Sequence, residues 1–427
     1  MTGPIKLFLG LVYLSCLGAA DDTWSKWPPE FGKLRFNFEF RTRYEARTGV
    51  GFGLNPDLEN PLFRTRIGAE YEPFGWLKIA AMGQDARAPL YGGPAPTTAR
   101  DTMDLHEAYL ELFPREKTGF GASVGRRMVT YGEGRLIGIP QWSNTSRTFD
   151  EAQVYYRTPH ARFDLLALSV VKIRPDEFNR PVLGDRLWGT YDSFTAVIPN
   201  GVAEFYLLRR EQNAPGGFTG VGTLGVTTFG GRATGPLADG FRYSIETAGQ
   251  AGHAGLQSQR GYAWFSNLSR RLALRHAVDL SVEYKYASGS SDPKSSHNGT
   301  FDQLYAANHD KFGHEDLFGW RNIHNLRSLE TVQLWKGLAF NVMYDNFWLA
   351  AARDSLYNGQ GKAIVTDPKG ASGRHVGQEL DGFGTYSRSG FVFGAGFGHF
   401  FKGEFLNRMT PGVNTRYLYL FQSYSFR

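Results

Sequence analysis

Thiols and long apolar runs are what this chain has least of. Its 427 residues include one cysteine, Cys16, and beyond residue 20 no apolar stretch comes near the ~20 residues that a membrane-spanning helix needs. A helical membrane protein is thereby excluded. Strong charge of one sign is missing too: the formal net charge is +6, small for this length and no nucleic-acid signature. What is abundant is aromatic residues, with 33 Phe, 21 Tyr and 9 Trp, far too many for a solvated, disordered chain. The length would suit two or three soluble domains, but some β-architectures run longer as one unit.

The N-terminus reads as a removable address. Lys6 precedes the apolar run Leu7 to Leu17, followed by Gly18-Ala19-Ala20 and the acidic pair Asp21-Asp22. That is a charged region, an apolar core and a small-x-small cleavage site, so residues 1–20 are expected to be a signal peptide cut after Ala20. The run is too short to span a bilayer. Tyr13 fits poorly in a lipoprotein box before Cys16. Cleavage at Ala20 removes the only thiol, which excludes disulfides, thiolate metal sites and cysteine nucleophiles from residues 21–427. The formal charge becomes +5, because Lys6 is lost.

The remaining chain alternates. In residues 34–45, Leu34, Phe36, Phe38, Phe40 and Tyr44 interleave with Arg35, Asn37, Glu39, Arg41, Arg43 and Glu45. Period two means a strand with one greasy and one wet face. Residues 63–72, 241–246 and 278–286 repeat the pattern. A soluble sandwich alternates in the same way, so connections have to decide. Eighteen strands are expected near 33–45, 62–72, 76–87, 102–113, 119–129, 148–158, 161–174, 187–198, 202–212, 220–232, 241–250, 261–270, 276–288, 325–335, 338–351, 375–387, 390–401 and 414–426. Connections after even strands are mostly short, such as Pro73-Phe74-Gly75 and Arg388-Ser389; those after odd strands are often long, as in 46–61, 88–101, 130–147, 289–324 and 352–374. Short turns at one end and long loops at the other describe an all-β, transmembrane antiparallel β-barrel of the outer membrane, with periplasmic turns and extracellular loops. Residues 21–427 form one such barrel domain. A propeller would repeat every ~40–50 residues, and no such period is present. The last strand is aromatic-rich but imperfectly alternating, and a bulge shifting its register is the expectation there.

Several motifs have plainer readings. Gly220-x-Gly222-x-x-Gly225 matches a dinucleotide fingerprint formally, but no βαβ unit surrounds it, and glycine within a barrel strand accounts for it better. Gly394, Gly396 and Gly398 share one face of the seventeenth strand and make room for a loop or side chain inside the barrel. His309-Asp310 and His314-Glu315-Asp316 lack fixed metal-ligand spacing and are expected to be a solvated polar loop. His375 and His399 are hydrolase candidates by position alone, without a triad signature, so no enzyme is expected. Neither a metal nor a cofactor is expected.

The informative pattern is the wet face. Arg35, Arg41, Arg43, Arg64, Arg66, Arg157, Arg242 and Lys285 point into the lumen by parity, and so do Glu39, Glu70, Glu107, Glu111, Glu246, Glu283, Asp345, Glu379 and Asp381. One reading is a wall of cross-strand ion pairs, each worth little. The other is an anion pathway, in which arginines lower the barrier for carboxylated solutes and flanking acids keep any site from holding too tightly. Both hold at once.

Segments along the chain resemble the alginate export family of outer-membrane barrels. They include Asp104 to Glu111, Gly125-Arg126-Arg127, Tyr131 to Gly138, Trp142-Ser143-Asn144, Arg147 to Asp150, Phe301 to Tyr305, Asp316 to Ile323, Ala352 to Asn358, Gly373 to Asp381 and Gly398-His399-Phe400. The resemblance implies an eighteen-stranded monomeric barrel with a basic constriction that passes an acidic polysaccharide and is gated by inward-folded loops. The 130–147 loop, with Arg135 and Arg147, is the candidate inward loop. The expected function is an outer-membrane channel for an anionic polysaccharide or uronate-type solute, with export favoured. The alternatives are a general or sugar-acid uptake porin and a non-conducting barrel serving as adhesin or scaffold. The implied partners are the solute, the lipid bilayer and periplasmic export proteins, but not nucleic acid.

Overall fold

The computed structural model describes residues 33–91, 95–114, 116–213, 223–292, 294–309 and 311–426. The signal peptide with its cleavage site, Gly220, Gly222 and Asp310 lie outside the described residues. Eighteen antiparallel strands form the wall. They are β1 Leu34–Thr48, β2 Leu58–Phe74, β3 Leu77–Arg87, β4 Asp101–Leu112, β5 Gly119–Arg127, β6 Phe149–Arg157, β7 Ala161–Lys172, β8 Arg180–Phe194 and β9 Val202–Gln212. The chain continues through β10 Leu224–Pro236, β11 Phe241–Ala254, β12 Gln257–Ala273, β13 Ala277–Ala287, β14 Ile323–Trp335, β15 Leu338–Leu349, β16 His375–Arg388, β17 Phe391–Lys402 and β18 Thr415–Phe426. Each strand pairs with its sequence neighbours, and β1 closes the ring on β18 from Phe38↔Phe426 to Thr48↔Arg416. Closure is what allows strands to cross lipid, since every backbone N–H and C=O must be paired there. No helix among the described residues is long and apolar enough to cross a membrane.

The alternation reads out as two faces. Ile67 and Leu165 expose 62 % and 60 % of their surface outward, with Phe120, Val154, Phe205, Phe229, Val282 and Leu418 around the same circumference. Such a continuous apolar band is intelligible in lipid and not in water. Near the short turns the outer aromatics cluster: Phe74 stacks on Trp76, Phe120 meets Tyr156, Phe194 contacts Phe163 and Phe205, and Tyr424 contacts Phe391 and Phe426. This is the interfacial belt of a barrel.

Two expectations need correcting. The first long connection, expected over 46–61, spans only 49–57, because β1 and β2 stay paired as far as Arg47↔Leu58. The register of β18 runs unbroken against both neighbours, so no bulge is present. Its alternation looks imperfect because its inward face is aromatic as well. Tyr417, Tyr419 and Phe421 point inward, while Leu418 and Leu420 point outward. The glycine stripe of β17 explains how they fit. A Cβ at Gly394 would enter the Phe421 ring, one at Gly396 the Tyr419 ring, and one at Gly398 the Asp381 carboxylate.

At the loop end the lumen is filled. Residues 128–148, 288–322 and 350–374 fold inward, and Leu136, Ile137, Phe301, Phe318 and Trp320 bury against wall residues Phe149, Phe265, Phe347 and Phe400. Residues 128–148 and 288–322 are joined by a parallel bridge, Ile137↔Tyr305. Tyr305 N donates to the Leu136 carbonyl at 2.8 Å, and Gly138 N to the Tyr305 carbonyl at 3.0 Å.

Candidate functional site

β1 and β2 place four arginines on one inner patch. Arg41 and Arg64 stand directly opposite in register, a like-charge pairing that destabilises a sheet unless something neutralises it. The inward segment 141–144 supplies that neutralisation with uncharged oxygens. Arg41 donates to the carbonyls of Gln141 at 2.9 Å, Trp142 at 3.3 Å and Ser143 at 3.1 Å. Arg64 donates to the Gln141 carbonyl at 3.2 Å and the Ser143 carbonyl at 3.0 Å. Arg43 donates to the Trp142 carbonyl and lies 4.1 Å over its ring, and Arg66 donates to the Gln141 side-chain oxygen at 3.3 Å. Glu39, held by Arg64 and Arg66, and Glu45, held by Arg43, are the acids of this patch. Four guanidinium groups thus share two carboxylates, and backbone oxygens fill the remaining positions. Asn144 pins the segment by donating to the carbonyls of Phe63, Arg87 and Ala99.

Trp142 is the centre of the seat. It stacks on His309 with 5° between rings at 4.5 Å, meets Tyr419 and Phe421 edge-on, and donates to the Tyr417 hydroxyl at 3.1 Å. The inward aromatics of β18 therefore form a shelf for the loop.

The two arginines of the inward loop itself, Arg135 and Arg147, have other partners. Arg135 pairs with Glu133 at 2.6 Å and sits 3.3 Å over the Phe265 ring, with Glu246 at 3.9 Å. Burial works against the Glu133 charge, but Arg135 and Arg232 outweigh it and hold that carboxyl below its usual range. Arg147 donates to the carbonyls of Gly138, Tyr305 and Ala306 at 3.1, 2.6 and 3.2 Å, and burial pushes its guanidinium down to about 10.

Round the wall from β1, beyond β18 and β17, the inner face turns acidic on β16 and β15. Asp345 accepts from Arg327 at 2.9 Å and Asn325 at 2.7 Å. Glu379 accepts the Glu315 backbone N–H at 2.8 Å, and Glu315 itself accepts from Thr415 at 2.6 Å. Both carboxylate oxygens of Asp381 are buried without a hydrogen-bond donor, as is one oxygen of Glu379 and one of Glu315. Contrary to the expectation of a solvated loop, His314 and Glu315 are buried here, because the loop folds inward: the His314 ring lies 4.4 Å from Phe383 and its Nε2 2.7 Å from the Tyr419 hydroxyl. Further round, on β13, Lys285 pairs with Glu283 at 2.6 Å, and Arg327 on β14 reaches the same carboxylate at 3.8 Å.

The remaining parity candidates lie near the turn end. Arg35 pairs with Glu72 at 3.6 Å, Arg157 donates to the Glu116 carbonyl at 3.4 Å, Arg242 is exposed, and Glu70 is half-buried opposite Arg35 in register. A polar cavity of about 370 Å³ opens beside the inward loop, lined by Glu111, Arg127, Glu151, Arg162, Asp164 and Glu204. Among the described residues no three carboxylate, imidazole or thiolate groups converge in a metal-binding arrangement.

Sequence reasoning did not place Arg210, Arg327 or Trp142 in the lumen. Arg210 bridges Asp185 at 3.2 Å and Asp302 at 3.1 Å and lies over Tyr305, so it clamps a loop to the wall. Parity could have found it, because Arg210 shares a face with Leu208 and Tyr206. Trp142 had no such signal, since a loop side chain carries no periodicity.

A closed, lipid-banded wall around a charged interior defines an outer-membrane β-barrel channel. The chain belongs to the alginate export family, whose model matches residues 33–419. Among solved structures it resembles Pseudomonas aeruginosa OccK11 (OpdR), with TM-score 0.63 at 13% identity over 92% of this chain and 96% of that one. It also resembles P. aeruginosa OpdK with vanillate, with TM-score 0.62 at 10% identity over 92% and 98%. These likenesses concern the fold. No curated protein matches. Family and fold are those of outer-membrane channels rather than of enzymes.

Proposed function

We propose that this chain is a passive, monomeric outer-membrane channel for an anionic polysaccharide or uronate-type solute, acting in export and without a cofactor. The observation that carries this reading is the patch of Arg41, Arg43, Arg64 and Arg66 met by the neutral carbonyls of Gln141, Trp142 and Ser143. Bidentate guanidinium donors prefer carboxylates to carbonyls, because charge-assisted hydrogen bonds are roughly twice as strong as neutral ones. A uronate carboxylate therefore competes for the position the loop occupies, and segment 128–148 is the closure that a polyanion displaces. Flanking Glu39 and Glu45 limit how tightly one carboxylate is held, which lets a polymer slide from site to site.

The test is planar-bilayer conductance of the refolded chain from residue 21 onward, with reversal potential in a salt gradient and added oligouronates. Anion-selective current blocked by oligouronates and untouched by neutral oligosaccharides supports the reading. Unselective, unblocked current means a general porin, and a folded barrel that never conducts means a scaffold. Uptake of a small carboxylated solute is the second reading. It is favoured by the shared fold with OpdK, solved with vanillate. Equal block by monomeric and oligomeric uronates would select it.

A further inference from the structure

A polar station separate from the arginine patch lies on the turn-end side of the inward segment. It is the cavity of about 370 Å³, walled by Met128 to Gly132 on one side and by the inner faces of β4–β9 on the other. Pockets for small molecules run to ~300–1,000 Å³, so it is large enough to hold one. Glu111, Arg162 and Ser193 each stand one residue from the turn end of β4, β7 or β8, so the cavity faces that mouth. Arg162 keeps 42 % of its side chain exposed, which means that water reaches it there.

Unlike the arginine patch, this cavity has its charges balanced. Asp164 holds Arg162 at 2.8 Å, Glu204 holds Arg232 at 2.5 Å, and Arg127 lies 3.7 Å from Glu111 and 3.6 Å from Glu151. None of these cations is left over for a further carboxylate. Hydrogen-bonding capacity is what remains. Both Arg127 pairs are longer than a hydrogen bond, and Lys78 stays 4.0 Å from Glu111. Among the described residues no donor reaches the Glu111 carboxylate, although Glu111 is only 7 % exposed. A group that only donates and one that only accepts thus face the same space without satisfying each other. A hydroxyl does both and can bridge them. The Tyr131 and Tyr191 rings, 4.6 Å apart, add apolar surface for the C–H face of a sugar. The arginine patch is one side chain away: Gln141 donates to the Met128 sulfur at 3.6 Å while its side-chain oxygen accepts from Arg66 at 3.3 Å.

We propose that this cavity is a pyranose-binding station, in which Glu111 and Arg127 bind the ring hydroxyls of one sugar while the carboxylate of the next sugar in the chain lies on the arginine patch. The inference rests on the uronate-channel reading above and specifies it. The patch reads charge, and the cavity reads hydroxyls. Glu111, Glu151, Asp164 and Glu204 repel a carboxylate from the cavity, so the two stations cannot exchange roles. A carboxylated solute without ring hydroxyls meets the patch alone and is held less well.

The experiment is isothermal titration calorimetry of the purified full barrel in detergent. The probes are an oligouronate trimer and the same trimer with its hydroxyls O-methylated and its carboxylates free. Hydrogen bonds to charged groups are lost on methylation, so the methylated trimer should bind about tenfold more weakly than the free one. In Glu111→Ala and in Arg127→Met that preference should shrink to about twofold or less, because the charged partner is gone. Heat-modifiable gel migration shows that each variant is folded. Where Arg127→Met does not fold, Arg127→Lys keeps the charge without the fork of donors and carries the same expectation. Equal binding of the two trimers by the unaltered barrel, or a preference that survives both substitutions, would overturn the station and leave the channel reading standing. Binding of neither trimer would overturn both.

Discussion

The two charged regions of the lumen treat the inward loops they meet in opposite ways. On the β1–β2 side, four arginines are satisfied by backbone oxygens of segment 141–144. On the β15–β16 side, the loop brings Glu315 up to Glu379, Asp381 and Asp345, adding a carboxyl group where three already stand. Hydrogen bonds to charged groups are worth ~1.5–3 kcal/mol each, whereas a buried acceptor without a donor costs ~1–3 kcal/mol. The basic side therefore holds the loops, and the acidic side pushes against them. A closure built in this way is held firmly, yet it is not at its most stable.

Reversing the basic side should have the largest effect. Arg64→Glu with Arg66→Glu removes their hydrogen bonds to Gln141 and Ser143, leaving only those from Arg41, and places acids beside Glu39. A folded double mutant should lose its anion selectivity several-fold in reversal-potential measurements and conduct more at rest. Unchanged selectivity would separate these arginines from the pathway.

Relieving the acidic side should do the reverse, more modestly. Asp381→Asn supplies a donor where both oxygens now lack one, so the closed form should gain ~1–3 kcal/mol. Single-channel records should show rarer openings. More frequent openings would mean that Asp381 already has a compensating partner in the closed form.

Acidity should tune the contrast from within the loop. Burial, then His309, pushes His314 from about 6.5 down to about 3, so the seated ring is neutral. The released loop takes a proton as pH falls through 6.5 and the seated one does not, so this contribution is full above 6.5 and is lost towards 3. Burial instead raises Glu315, which keeps its proton longer when seated; its contribution is present at low pH and lost as pH rises. Around these two lie His309, Asp316, Arg47, Tyr419, Glu379 and Asp381. His314→Phe should abolish the rise in conductance on acidification, and Glu315→Gln the rise that comes as Glu315 loses its proton with increasing pH.

The smallest expected effect concerns packing. Trp142→Ala removes the ring beneath Arg43 and beside His309 while leaving every backbone carbonyl in place. A cation–π contact is worth ~0.5–2 kcal/mol, so opening frequency should rise a few-fold with selectivity intact. A selectivity change would show that the ring, and not only the arginines, meets the solute.

Alternation made the wall legible. Because side chains flip faces every residue, strand number and the outward set containing Ile67, Tyr71 and Val282 could be read directly. Even the glycine stripe of β17 announced that something bulky would lie against it. What period two could not reveal was contact made by loops. The carbonyls that meet Arg41 have no residue identity, and Trp142 and Tyr305 reach their partners through backbone paths without periodicity. Tyr417, Tyr419 and Phe421 misled for a related reason: an aromatic on the inner face looks, in sequence, like one facing lipid.

The bridge between Ile137 and Tyr305 has a mechanical consequence. Two segments from distant parts of the chain share three backbone hydrogen bonds between residues 134–138 and 305–307, so neither can leave the lumen while the other stays without breaking them. They are geared together. A force applied at Arg41 on one side is felt at Arg210 on the other, and the stopper has one effective degree of freedom instead of two.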